Sequence, residues 1–287
     1  MLTKGMNEIK KTGDRIAKVI ARAGLASRRG AEKMILDGRV TVNGLVISTP
    51  ALNVISSDKI VVDKIPLPSA ETTRLWKYNK PIGLVTTEKD EKGRKVVFDN
   101  LPSNLPRVMS IGRLDLNSEG LLLLTNDGEL KRKLELPSTG WTRKYRVRIN
   151  GLPTPELLDK LKNGITVDGE KFRPMAITID RQQGSNAWLT ISIKEGKNRE
   201  IRRAMNELGF KVSRLIRISY GPFRLEELKA NEVDEIKLSV LKSQLGSIFN
   251  LQTDQKEPST QIRQTIRRKK KSLIDTINPS KRISKIK

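Results

Sequence analysis

The sequence predicts an α+β fold in two domains of unequal size, on three observations. Predicted strands outnumber predicted helices and do not alternate with them, which disfavours a doubly wound parallel sheet and favours a mixed, mainly antiparallel one. Two short amphipathic helices and a hairpin form a unit of their own at the start of the chain. The segment DKIPLPSAETT (63–73), with two prolines and several small polar residues, reads as a linker between that unit and the rest.

Residues 1–13 are polar and read as a flexible N-terminus. Ile16, Val19, Ile20 and Ala23 recur at helical spacing and predict a helix over 14–23, stopped by Gly24. Ser27 is placed to cap a second helix through Ala31, Met34 and Ile35, which Gly38 ends. In VTVNGLVI (40–47) two β-branched runs flank Asn43-Gly44, the signature of a two-residue hairpin, and 60–62 adds a strand. This unit, 14–62, is near the lower size at which a domain folds alone. The larger domain is expected over 74–245. Its strands are predicted at 75–79, 83–87, 107–112, 121–125, 144–150, 175–180 and 187–193, and its helices at 129–135, 155–162 and 199–208. From 246 to 287 the chain reads as a basic disordered tail: residues 255–287 carry 11 Lys and Arg against 2 acids, with RRKKK at 267–271.

Charge and composition narrow the partners and the chemistry. The 287 residues carry a formal net charge of +24, which points to a polyanion. No run of about 18 apolar residues occurs, no stretch near the N-terminus has signal-peptide character, and no basic amphipathic segment carries an aromatic apolar face. A cytoplasmic protein with no membrane partner is expected. There is no cysteine, so disulfides and thiolate chemistry are excluded, and no histidine, which removes the usual general base and the commonest metal ligand. No metal and no cofactor are expected, and catalysis is left to Asp, Glu, Lys, Arg, Tyr, Ser or Thr.

Arg15, Lys18 and Arg22 recur at three- and four-residue spacing and share one helix face. Arg28, Arg29 and Lys33 lie near the start of the second helix, where free backbone N–H groups also favour phosphate. By spacing alone these six cations are either a phosphate-binding face or a solvated charged one. The stretch RIAKVIARAGLASRRGAEKMILDGRVTVNG resembles the S4-type (alpha-L) RNA-binding domain over 14–60. That resemblance implies a grip on structured RNA through Arg22, Arg28, Arg29 and Lys33.

The most informative stretch is IGRLDLNSEGLLLLTNDGEL (111–130), which sets Asp115 on a loop just before a four-leucine strand. Rigid scaffolds often present reactive groups on such loops, although an arbitrary loop aspartate more often bonds its own backbone. The stretch resembles the catalytic signature of the pseudouridine synthases of the small-subunit synthase A and large-subunit synthase B group. WKYNKPIGLVTT (76–87), RKYRVRI (143–149) and EGKNREIRRAMNELG (195–209) fall where that family has its other elements, so the similarity covers about residues 14–240. The resemblance implies that Asp115 is the catalytic carboxylate and Tyr145 stacks on a base taken out of its stack, a step costing a few kcal/mol. The lesser alternative for Tyr145 is an ordinary strand aromatic. Arg202 is expected to pair with Asp115, or else to contact phosphate with Arg199 and Arg203 on the same helix; Arg113 is expected to touch RNA near the flipped nucleotide.

The forms NREIRR (198–203) and GRKVVFDNLP (93–102) resemble the large-subunit branch, which implies a uridine of 23S ribosomal RNA as target and a monomeric enzyme. Two alternatives stand: a small-subunit (16S) synthase, and a non-catalytic S4-domain protein of ribosome assembly. The second does not account for GRLD, KYRV and NREIRR occurring together.

Overall fold

The computed structural model describes residues 13–246. Apart from Gly13 and Gly246, the expected flexible N-terminus and basic tail lie outside the described residues. The chain divides into two compact units, 1–244 and 245–287, and every element that builds the site belongs to the first.

The first residues described form a two-residue strand, β1 (Asp14–Arg15), before the helix α1 (Ile16–Arg22). The helix is therefore shorter than its periodicity predicts, because Asp14 and Arg15 pair with β4 (Asn53–Val54) instead. Helix α2 (Arg28–Leu36) starts where expected, with the Ser27 hydroxyl accepting from the Gly30 amide at 3.0 Å. Strands β2 (Val40–Val42) and β3 (Leu45–Val46) meet through Asn43 and Gly44, both at positive φ as the two-residue turn requires. Strand β5 (Ile60–Val62) pairs on the other side of β2. A second turn, through Asp63 and Lys64 at φ 49° and 67°, brings β6 (Ile65–Pro66) back onto β5, so the sheet runs on into the segment read as linker. No glycine marks that turn, and Pro66 is tolerated because its strand is an edge. Ile16, Ile20, Ala31, Ile35, Val40 and Val62 close the core beneath this four-stranded sheet.

The larger sheet has nine strands. In chain order these are β7 (Leu75–Lys80), β8 (Met109–Ile111), β9 (Glu119–Thr125), β10 (Arg143–Asn150), β13 (Ala176–Gln183), β14 (Asn186–Ile193), β15 (Val212–Tyr220), β16 (Phe223–Arg224) and β17 (Val233–Glu235). The hairpin β11 (Ile165–Val167) and β12 (Glu170–Phe172) stands apart from it. Helices α3 (Gly128–Glu135), α4 (Pro155–Lys162), α5 (Glu200–Glu207) and α6 (Leu238–Leu245), with short 3-10 turns at Val97–Asn100 and Pro137–Thr139, complete the described elements. The sheet runs β13-β14-β10-β15-β9-β7-β17 and is antiparallel at every step except β15 against β9. It is thus mixed and mainly antiparallel, as the pattern predicts. Tyr145, Val147 and Ile149 of β10, Leu189 and Ile191 of β14, and Leu158, Ile201 and Ala204 of the helices share one core.

Two assignments change. Residues 83–87 form no strand; they turn through Gly83 at φ 90°, and Val85 makes only an isolated bridge to Val96. Periodicity assigns no strand to 212–220, yet β15 lies at the middle of the sheet. Its sequence VSRLIRISY interleaves arginines with apolar residues and reads as a basic surface, whereas Arg217 is in fact buried, at 2% exposure.

Candidate active site

Residues 112–118 join β8 to β9, and their backbone is held from all sides. Every carbonyl from Arg113 to Ser118 accepts a hydrogen bond. The Arg113 oxygen accepts from Arg217 Nη1 at 3.5 Å and that of Leu114 from Thr86 Oγ1 at 2.8 Å. The Asp115 oxygen accepts from the Ser118 amide at 3.0 Å and from Lys80 Nζ at 3.1 Å, and that of Leu116 from the Gly83 amide at 2.9 Å. The Asn117 oxygen accepts from Arg202 Nη2 at 2.6 Å and that of Ser118 from Lys80 Nζ at 2.9 Å. Unpaired backbone groups away from water are costly, so six paired carbonyls in succession make this loop rigid. The Asp115 side chain is left free of that work and is 39% exposed, able to meet a substrate.

Two residues that the sequence reading passed over do much of the pinning. Lys80 ends β7, is fully buried and bonds the carbonyls of Pro81, Asp115 and Ser118. Burial pushes its ammonium down to about 8, against a partial pull upward from Asp115 and Glu119. Arg217 donates to the Leu121 carbonyl at 2.7 Å, at the point where the edge of β9 passes from β15 to β8. Gly120 is required at that junction: a Cβ there would lie 2.4 Å from the Arg217 carbonyl oxygen. The signal for both was present but weak, a lysine before Pro81 and an arginine in an apolar alternation.

The expected pair between Arg202 and Asp115 is not formed. Arg202 spends its guanidinium on the carbonyls of Asn117 and Val212 (2.6 and 3.1 Å), tying the loop to the start of β15. The guanidinium beside the Asp115 carboxylate is that of Arg199, at 4.0 Å. Arg199 stands at the N-cap of α5 in the left-handed region (φ 47°, ψ 32°), a conformation that non-glycine residues adopt at some cost and that clusters at functional sites. Burial, and then the neighbouring Glu195, push the Glu200 carboxyl well above the usual carboxylate range. An open depression of about 430 Å³ beside α5 is lined by Arg199, Arg202 and Lys211 among others. We expect Arg202→Met to untie the loop from β15, at about 0.5–1.5 kcal/mol for each of the two bonds lost, and so to lower the single-turnover rate by about tenfold. A variant that loses only salt-dependent RNA affinity would show that Arg202 acts as a phosphate contact.

Tyr145 lies in β10 at 8% exposure, directly across from Arg217. It is joined to the Asp115 loop through that arginine and the Arg113 carbonyl. Arg113 itself is exposed.

The expected RNA-binding cations divide into two groups. Arg28, Arg29 and Lys33 are exposed on α2. Others are engaged within the protein. Arg15 donates to the Ala51 carbonyl. Lys18 pairs with Asp14 at 2.9 Å and with Glu129 of α3. Arg22, only 17% exposed, donates to the Glu71 carbonyl at 2.7 Å and lies 3.6 Å from Asp127, the residue that caps α3. Lys18 and Arg22 therefore fasten the N-terminal unit to α3, because that face of α1 meets the acids Glu129 and Asp127. Arg203 is likewise taken up, by Glu170 and Asp168 of the β11–β12 hairpin and by the face of Phe172.

Comparison with known proteins agrees with this architecture. Residues 14–60 match the S4 domain and residues 74–207 the RNA pseudouridylate synthase family. An uncharacterized RNA pseudouridine synthase of Rickettsia bellii is 50% identical over 228 residues, covering 79% of this chain and 99% of that protein. The ribosomal large subunit pseudouridine synthase B of Bacillus subtilis is 38% identical over 226 residues, covering 78% and 92%. A pseudouridylate synthase crystal structure superposes with a TM-score of 0.57 at 25% identity, covering 79% of this chain and 98% of that one. The chain belongs to the RNA pseudouridine synthases: an enzyme with an S4 domain and a pseudouridine synthase domain.

Proposed function

We propose that this enzyme isomerises a uridine of 23S ribosomal RNA to pseudouridine, with Asp115 as its catalytic carboxylate. The observation that carries the reading is the loop 112–118, whose carbonyls from Arg113 to Ser118 are all bonded while the Asp115 side chain is left accessible beside Arg199. The large-subunit target rests on the name of the Bacillus relative and on the resemblance of NREIRR and GRKVVFDNLP to that branch.

The reaction breaks the bond from N1 to C1′, turns the uracil and joins C5 to C1′; the hydrogen on C5 leaves and N1 gains one, so there is no net redox change. A carboxylate can serve at the sugar carbon or as the base that removes a proton, and rigid placement serves either role. Arg199, 4.0 Å from the carboxylate, is placed to orient it toward a bound nucleotide. Tyr145 supplies an aromatic edge for the flipped base, and Arg28, Arg29 and Lys33 supply phosphate contacts on the S4 domain.

The test uses ribosomal RNA from cells lacking this protein, incubated with the purified full chain and mapped for pseudouridine nucleotide by nucleotide. One new site in 23S RNA and none in 16S is the expected result. Modification of 16S alone would move the target to the small subunit, and no modification of either by folded protein would overturn the ribosomal assignment.

A further inference from the structure

Over β10, the sheet face opposite the main core carries a row of exposed cations that the site does not use. β10 alternates strictly: Tyr145, Val147 and Ile149 enter the core, while Lys144, Arg146 and Arg148 are exposed on the opposite face. Residues two apart on a strand are about 6.6–6.8 Å from one another, comparable to the step between successive phosphates of a nucleic-acid strand. On the β14 side their cross-strand neighbours are Ser192, Thr190 and Trp188. Serine and threonine are short and leave the long cationic side chains standing above the sheet.

Trp188 orders the middle of the row. The Arg146 guanidinium lies 5.0 Å from the indole centroid, within cation–π range. The acids on this face are few: Asp180 lies 4.0 Å from Arg146 and also accepts from Thr190, while Glu119 is held by Arg214 in two bonds of 2.8 and 2.9 Å. Lys144 and Arg148 form no ion pair among the described residues. Arg148 stands directly opposite Arg214, a like-charge arrangement that costs stability. Edge protection does not account for the charges, because β10 is flanked by β14 and β15.

We infer that this face is a second RNA-backbone contact surface, on the side of the sheet away from the Asp115 loop, with Lys144, Arg146 and Arg148 binding successive phosphates of the substrate RNA outside the modified nucleotide. The occupant follows from charge complementarity and from RNA being the substrate class of the family; the inference does not depend on which RNA is modified. Arginine suits the role because its planar fork can bind one phosphate through two hydrogen bonds.

The experiment uses the full chain carrying K144Q, R146Q and R148Q together. Binding to a long ribosomal transcript is measured across a salt series, and single-turnover isomerisation is measured on a short hairpin that spans only the modified loop. Losing three phosphate contacts should flatten the log–log salt slope by roughly 2, at about 0.7–0.9 per contact, with turnover on the hairpin unchanged. An unchanged slope would overturn the inference. A second variant keeps the test open to failure if the triple variant unfolds. The protein has no cysteine, so Arg148→Cys bearing a photo-crosslinker reports on one position; crosslinks to RNA flanking the modified loop are expected, and none at saturating RNA would refute the contact. If the wild-type protein binds with the full slope but isomerises nothing, the proposed function fails while the surface assignment stands.

Discussion

Asp115→Asn should abolish isomerisation while leaving the protein folded and able to bind RNA. The loop is held by its carbonyls, not by the Asp115 side chain: the backbone oxygen bonds Lys80 and the Ser118 amide, and the charged group nearest the carboxylate among the described residues is Arg199 at 4.0 Å. An amide of the same shape therefore disturbs little, and the stability change should stay within about 1 kcal/mol. Affinity for RNA should hold or improve, because a charge that repels phosphate has gone. Pseudouridine formation in a 23S RNA fragment under single-turnover conditions, beside filter binding of the same fragment, measures both quantities. Wild-type turnover in the asparagine variant would remove Asp115 from the chemistry, and with it the catalytic reading of the loop.

Lys80→Met should reduce turnover more than it reduces stability. Methionine leaves the carbonyls of Pro81 and Ser118 without this buried donor, at about 1–3 kcal/mol each, and the Asp115 carbonyl with the Ser118 amide alone. If about 2–4 kcal/mol of that falls on the catalytic geometry, the rate falls by roughly 30- to 1000-fold. The same change removes a buried ammonium and its desolvation cost, which offsets the loss in folding stability. Wild-type activity should also decline as pH rises through about 8, the value to which burial lowers this group. A neutral amine has only two N–H donors for three carbonyls. Stability moves the other way. The folded value lies below the ordinary 10.5, so between about 8 and 10.5 the unfolded chain holds more protons and folding gains as pH rises. A rate that drops across that window while the melting temperature does not is the signature. A methionine variant with wild-type turnover and the same alkaline limb would show that Lys80 does not position the loop.

Much of the fold could be read from local signals. Asn43-Gly44 marked its hairpin, Ser27 its helix cap, and the alternation in 143–150 a strand with one buried face. Each depends on neighbours within a few residues, which the linear sequence displays. β15 escaped because its arginines imitate an exposed pattern, and only the sheet around it gives Arg217 a buried partner in the Leu121 carbonyl. The turn at Asp63-Lys64 escaped because neither residue is the glycine or asparagine that usually announces positive φ.

The candidate site divides along the same line. The chemical inventory was set by the sequence: no histidine, no cysteine, a carboxylate in GRLD before a four-leucine strand, and an excess of cations. Which cation does what was decided by tertiary contacts. Arg22 reaches Glu71 and Asp127, far along the chain, and fastens two parts of the protein; Arg202 reaches Asn117, and Arg199 stands by Asp115 in its place; Lys80 and Arg217 turn inward to hold the loop. Lysine and arginine carry their charge at the end of a long flexible stem, so their spacing in the chain states only where the stem begins. The oxygen at which it ends depends on how distant strands and helices are brought together.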